Sequence, residues 1–322
     1  MRKIFARMEA YGTLVMFKHT IFSLSFGLIS LFLASGGILL DMVDFFLILM
    51  ALLAARTGAN GINRVIDAEI DKANPRTATR QIPMGRLSRR EALIFSLVCF
   101  FVMVVCAWMI NPLCGMLSPI ALFLMWSYSY TKRFTWLCHI VLGITCGIAP
   151  LGAWLAVTGN FGALSTVFTR LFSFDFTGSM QAFVDAILHE NAIFIPVVLF
   201  LANATWVAGF DIIYATLDFD HDRAHGICSI PARWGVARAL YISSCLHFVA
   251  VGALFLAGMM SPLLGWLYFV GIFIIAMLLV YEHLIVKPDN LTRVRIASYH
   301  VNEIIGVVLL SFSMIDILVL SG

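Results

Sequence analysis

Charged side chains are scarce in this sequence. Lys, Arg, Asp and Glu make up 12% of its 322 residues, about half the share usual in a soluble domain, which excludes a globule solvated by water on every side. The charges also nearly cancel, and a net +3 with no basic run excludes a nucleic-acid-binding arm. Organised cysteine chemistry is missing too. The seven cysteines (Cys99, Cys106, Cys114, Cys138, Cys146, Cys228 and Cys245) are odd in number, mostly inside apolar runs, and form no CxxC pair. They read as small hydrophobic groups, with no disulfide frame and no metal site. His221 and His225 lack the second ligand pair that zinc requires.

What is abundant is apolar surface: 61% of residues are hydrophobic and mean hydropathy is +0.96, the signature of lipid as solvent. Apolar stretches long enough to cross about 30 Å of hydrocarbon fall near 19–38, 43–63, 92–110, 113–131, 136–157, 192–213, 236–258, 262–282 and 298–319. The sequence therefore predicts an all-α integral membrane protein of nine transmembrane helices, with residues 1–322 as one domain. Leu33-Ala34-Ser35-Gly36 loosely mimics a signal-peptide cleavage region. The length of the run and the extended polar segment before it predict an uncleaved first helix instead. Short connections such as Asn111-Pro112 and Ser261-Pro262 predict antiparallel hairpins.

Orientation follows from basic residues. With nine spans, Arg2, Lys3, Arg7 and Lys18, the group from Arg56 to Arg90, Lys132 and Arg133, Arg223, Arg233 and Arg238, and Lys287, Arg293 and Arg295 share one side. Arg170 alone lies opposite. That side is predicted to be cytoplasmic, with the N-terminus inside and the C-terminus outside. In the long connection over 158–191, Met180, Phe183, Val184, Ile187 and Leu188 form a helical apolar stripe, suited to a short helix on the membrane surface.

Two acidic motifs stand at the cytoplasmic ends of the second and sixth runs. The first places Asn63, Asp67 and Asp71 at steps of four; the second places Asp218 and Asp222 one step of four apart, preceded by Asp211. Such steps share a helix face, with neighbours about 5–6 Å apart, where two carboxylates repel by about 3 kcal/mol at an effective dielectric of about 20. A cation is needed there. Oxygen-only donors suit magnesium completed by water and substrate phosphates. The matching anion finds Arg76, Arg80, Lys132, Arg133 and Arg223 nearby, Arg for bidentate contact and Lys as a point charge.

Arg56, Asn60, Asn63, Asp67 and Asp71 form one polar stripe running into the membrane. A charge at such depth lines a cavity or meets a partner: Arg56 either holds a substrate carboxylate or pairs with Asp211. Tyr128 and Lys132, one turn apart, bring a phenol and an ammonium to the same mouth.

These motifs resemble the UbiA-type family of membrane prenyltransferases over essentially the whole chain. Asn63, Asp67, Asp71, Arg76 and Arg80 match its NxxxDxxxD with trailing RTxxR. Tyr214, Ala215, Asp218 and Asp222 match YAxxDxxxD, and Tyr128 with Lys132 matches YxxxK. Gly209 to Ala215, Tyr130 to Trp136, Ser229 to Gly235 and Tyr281 to Asp289 look most like the 4-hydroxybenzoate polyprenyltransferase-like branch, which includes enzymes of the futalosine route to menaquinone. Arg64, where the family usually has Asp, speaks against a metal role at that position, and Gln81 replaces a frequent Pro.

The resemblance implies a nine-helix bundle around a central cavity with a cytoplasmic cap, in a bacterial inner membrane. It implies a polyprenyl diphosphate donor, an aromatic acid acceptor (4-hydroxybenzoate or 1,4-dihydroxy-6-naphthoate), and no obligate protein partner. Asn63, Asp67, Asp71, Asp218 and Asp222 would bind Mg2+. Asp211 is the candidate for stabilising the allylic cation or removing the ring proton. Three other classes compete. A secondary transporter would place its acids at the midplane, a CDP-alcohol phosphotransferase would show DG and AR pairs that are absent here, and a haem O synthase-like farnesyltransferase is a nearer relative.

Overall fold

The computed structural model describes residues 11–12, 14, 20–160, 162, 170, 173, 175–181 and 194–320. Among them regular structure is helical, the one strand-like feature being an isolated bridge between Lys287 and Asn290. The helices are α1 (Thr20–Ala34), α2 (Met42–Ile66), α3 (Ala68–Ala73), α4 (Arg89–Ile110), α5 (Pro112–Thr131), α6 (Cys138–Thr158) and α7 (Ile195–Ala215). A 3-10 turn, Thr216–Asp218, leads into α8 (Phe219–Ala224), followed by α9 (Ile230–Trp234), α10 (Val236–Met260) and α11 (Trp266–Ile285). The last, α12 (Ile296–Leu320), is α-helical in its middle and wound as π-helix at both ends.

Each of the nine predicted runs is met by a helix. Eight are long and apolar enough to cross a membrane; α1, at 15 described residues, is shorter. It stops at Ala34 because Gly36 and Gly37 take positive φ (66° and 78°), where the Gly37 amide turns back to the Phe32 carbonyl at 2.9 Å, the geometry that closes a helix with glycine. The helix near 262–282 begins only at Trp266. Its N-terminus is capped from across the bundle, the Asp316 carboxylate accepting from the Tyr268 amide at 2.6 Å.

The expected hairpins are built by local chemistry. Ser88 and Glu91 form a reciprocal cap that opens α4. Asn111 accepts from Cys114 N at 2.8 Å to open α5 and donates to the carbonyls of Leu155 and Ala156 at the end of α6. Packing then draws the helices together where side chains are smallest. A methyl group on Gly143 of α6 would lie 2.2 Å from the Ala204 carbonyl of α7, so these backbones touch. Apolar groups such as Phe101, Phe123, Phe248 and Phe273 point outward, which is unfavourable in water and natural against lipid.

At one end α3, α8, α9 and the loop between α3 and α4 form a cap. It is tied to the bundle by Cys228 N donating to the Lys132 carbonyl (2.8 Å) and by Trp136 against Trp234, ring centroids 4.3 Å apart. Of the predicted surface stripe, Phe183, Val184, Ile187 and Leu188 lie outside the described residues, as do Arg2, Lys3, Arg7 and Lys18.

Candidate active site

The two acidic motifs meet over a cavity of about 270 Å³. In the first, α2 ends at Ile66 and Asp67 is a hinge (φ −89°, ψ 4°) between α2 and α3. The spacing survives the break, because Asp67 N bonds the Asn63 carbonyl (2.9 Å) and Asp71 N the Asp67 carbonyl (2.8 Å). Asn63, Asp67 and Asp71 therefore all line the cavity, and Asp218 and Asp222 face it from the end of α7 and from α8.

The basic residues hold the two sides together. Lys132 Nζ lies 2.6 Å from Asp67 Oδ2, which also accepts from Asn63 Nδ2 at 3.0 Å. Arg80 Nη1 lies 2.6 Å from Asp71 Oδ1. Arg76 crosses from the first motif's loop to the second motif. Its guanidinium forks onto Asp218, with Nε 2.7 Å from Oδ1 and Nη2 on Oδ2. It also donates to the Tyr214 hydroxyl and lies over that ring, 4.6 Å from its centroid. Asn74 Nδ2 adds a second bridge to Asp218 at 2.7 Å. Burial by itself lowers the Arg76 pKa, but the hydrogen bonds and charge of Asp218 and Tyr214 outweigh it and hold the guanidinium above its ordinary value.

Asp71 Oδ2 is buried with no hydrogen-bond partner, a costly state for an anionic oxygen. Among the described residues no three His, Cys, Asp or Glu side chains form a ready metal site by themselves. The donors are carboxylate and amide oxygens, which fit magnesium completing its shell with water and phosphate oxygens.

Deeper in, the wall carries Arg56, Asn60 and Tyr128, whose hydroxyl donates to the Ala59 carbonyl (3.2 Å), together with Asp211. The partner that the structure gives Asp211 is the imidazole of His139, Nδ1 to Oδ2 at 2.7 Å. The sequence had offered Arg56.

Two predicted anion contacts, Arg223 and Arg133, are not among the residues lining the cavity. Arg223 is exposed and outside the lining: it follows the inward Asp222 by one residue, a rotation of about 100° on a helix. Arg133, one residue past Lys132, is outside the lining but stays within reach of the first motif. Its donors serve the Ile66 and Ser129 carbonyls at 2.8 and 2.9 Å, with Asp67 Oδ1 at 3.5 Å.

Sequence reasoning missed His139, Arg64, Asn74, Ser298 and Tyr299, all of which line the cavity. His139 left a signal, being the one ionisable residue other than cysteine in its apolar run. Arg64 lines the cavity from α2. Ser298 and Tyr299 arrive from α12, remote in sequence from both motifs.

Among the described residues eight helices are long and apolar enough to cross a membrane, and facing carboxylates and cations meet over one mouth of the bundle. The model of the UbiA prenyltransferase family matches residues 23–302, and the chain belongs to that family. A 4-hydroxybenzoate octaprenyltransferase from Tolumonas auensis is 29% identical over 267 residues, covering 80% of this chain and 78% of that protein. A protoheme IX farnesyltransferase from Korarchaeum cryptofilum is 29% identical over 242 residues, 72% and 69% of the two chains. Among solved structures, the apo UbiA homolog from Aeropyrum pernix K1 superposes with TM-score 0.75 at 28% identity, covering 92% of this chain and 98% of that one. A UbiA homolog from Archaeoglobus fulgidus bound to DMAPP and Mg2+ shares the fold at TM-score 0.56 and 20% identity, covering 94% and 99%.

Proposed function

We propose that this protein is a magnesium-dependent aromatic polyprenyltransferase that moves a polyprenyl group from its diphosphate to a ring carbon of 4-hydroxybenzoate or 1,4-dihydroxy-6-naphthoate, on the way to ubiquinone or menaquinone. The observation that carries the reading is the crossing of Arg76 and Asn74 from the first motif onto Asp218 of the second, which gathers the carboxylates of both motifs around one mouth. The Tolumonas auensis relative's name points to the same acceptor class. The site would face the cytoplasm of a bacterial inner membrane, the N-terminus inside and the C-terminus outside, as the basic residues of the sequence predict.

In this reading Asn63, Asp67, Asp71, Asp218 and Asp222 would hold magnesium, whose charge would stabilise the departing diphosphate. Arg76, Arg80 and Lys132 would turn their donors from the aspartates to diphosphate oxygens. Arg56, with Asn60 beside it, would take the acceptor carboxylate in the low-dielectric wall, and Tyr128 would border the ring. The surrounding apolar helices keep water from the allylic cation. A cavity of about 270 Å³ sits at the small end of ligand pockets, so the isoprenoid tail must run out between helices toward lipid.

The name of the Korarchaeum cryptofilum relative favours a second reading, farnesyl transfer to haem. The cavity volume favours a single small aromatic acid over a porphyrin. A transporter would need uptake without chemical change. Membranes containing the protein, incubated with Mg2+, geranyl diphosphate and each acceptor in turn, should yield a prenylated acid by mass spectrometry. Asp67→Ala and Asp218→Ala should abolish it while the protein stays in the membrane. Activity in both variants, or product from haem alone, would overturn the assignment.

A further inference from the structure

Five carboxylates line the cavity: Asp67, Asp71, Asp211, Asp218 and Asp222. Asp67, Asp71 and Asp218 are clasped by Lys132, Arg80 and Arg76. A carboxylate held by a permanent cation is a weak base, because its charged form is stabilised. Among the described cavity residues, Asp211 is the carboxylate paired with an imidazole instead, His139 Nδ1 lying 2.7 Å from Asp211 Oδ2.

The geometry around the pair is built. His139 is 5% exposed, and its second nitrogen, Nε2, is buried with no hydrogen-bond partner, an arrangement that costs stability and calls for a reason. The Asp211 side chain keeps 26% of its exposure, against 6% for His139, so the carboxylate is the member open to the cavity and the imidazole stands behind it. The distance between them is set by the tightest helix contact nearby. Gly143, one turn beyond His139, meets Ala204 and Ala208 of α7, the latter one turn before Asp211. Both members lie on the deep wall with Arg56 and Asn60, away from the clasped aspartates of the motifs.

We infer that His139 and Asp211 form the proton-accepting pair of the transfer, Asp211 touching the acceptor and His139 positioning it. The inference rests on the proposed aromatic acceptor. The allylic C–O bond breaks and the diphosphate leaves with the electron pair. A ring carbon attacks the allylic carbon, forming the new C–C bond. Asp211 then takes the proton from that ring carbon, and the C–H electrons restore aromaticity. His139 Nδ1–H holds the other carboxylate oxygen, keeping the charge in place until the proton arrives. The proton afterwards leaves through the mouth to water or to the departing diphosphate.

The test uses the full-length protein in proteoliposomes, with whichever of 4-hydroxybenzoate and 1,4-dihydroxy-6-naphthoate the wild type prenylates, each unlabelled and ring-deuterated. Asp211→Asn and His139→Gln should each lower kcat by about 10²-fold, the low end for loss of a general base. Both should leave Mg2+-dependent binding of geranyl thiolodiphosphate within about twofold. The decisive readout is the isotope effect on kcat, expected near unity in the wild type and clearly above unity in both variants, because proton removal becomes limiting. A packing role for His139 would not create one. Wild-type rates in His139→Gln, or a loss of rate without a new isotope effect, overturns the pair. Should His139→Gln fail to accumulate, Asp211→Asn alone decides by the same isotope effect. If the wild type prenylates neither acid, the acceptor assignment fails first and the pair falls with it.

Discussion

Replacing Arg76 by alanine is expected to move metal and diphosphate affinity in opposite directions. Arg76 serves two anions in turn, Asp218 in the structure and a diphosphate in the proposed reaction, so a divalent ion approaching Asp218 alone must displace a guanidinium. Hydrogen bonds to charged groups contribute about 1.5–3 kcal/mol. The side chains of Arg76 and Asp218 keep 17% and 15% exposure, and solvent screening places the pair at the low end, about 1.5 kcal/mol, or roughly tenfold in affinity. Arg76→Ala should therefore bind Mn2+ alone, followed by electron paramagnetic resonance as a stand-in for Mg2+, up to about tenfold more tightly. It should bind geranyl thiolodiphosphate at saturating metal at least about tenfold more weakly. In the wild type the two ligands should strengthen each other by one common factor, as linkage requires. Unchanged or weaker binding of metal alone, in a variant that still reaches the membrane, would refute the idea that Arg76 competes with metal for Asp218.

Arg56→Ala should raise KM for the aromatic acid by about tenfold or more while leaving KM for the prenyl diphosphate near its wild-type value, since a carboxylate–guanidinium contact is worth about 1.5–3 kcal/mol; steady-state kinetics with each substrate varied separately will show it. Arg223→Ala should keep activity within about twofold, a surface substitution away from the cavity being nearly silent. Asp316→Ala removes the cap that α12 supplies to α11 and should cost about 1–2 kcal/mol, read as a lower unfolding midpoint in detergent with the kcat of surviving protein unchanged.

Linear patterns carried a large part of this protein. A membrane-spanning helix must satisfy its backbone internally and show apolar side chains along its length, so the nine runs are visible in the sequence, and among the described residues each is met by a helix, most within a few residues of the observed ends. The ends that shifted, at Ala34 and Trp266, are set by two glycines with positive φ and by a carboxylate from α12. The acidic-motif residues were legible for a related reason. Steps of four put Asn63, Asp67 and Asp71 on one face, and the i to i−4 hydrogen bonds that make this true continue through the hinge at Asp67.

Partnership was decided only by the tertiary structure. Nothing in the chain order says that Arg76 crosses 142 positions to Asp218, that Asp211 turns to His139 rather than Arg56, or that Tyr299 and Ser298 close the cavity from the last helix. Periodicity tells which face of a helix a residue occupies but not which other face lies opposite. That is settled by how closely two backbones approach, as at Gly143 against Ala204, and by which side chain still has a donor to spare. Arg223 illustrates the limit: it sits beside the cavity residue Asp222 in the chain, and one step of helical rotation carries it out of the lining.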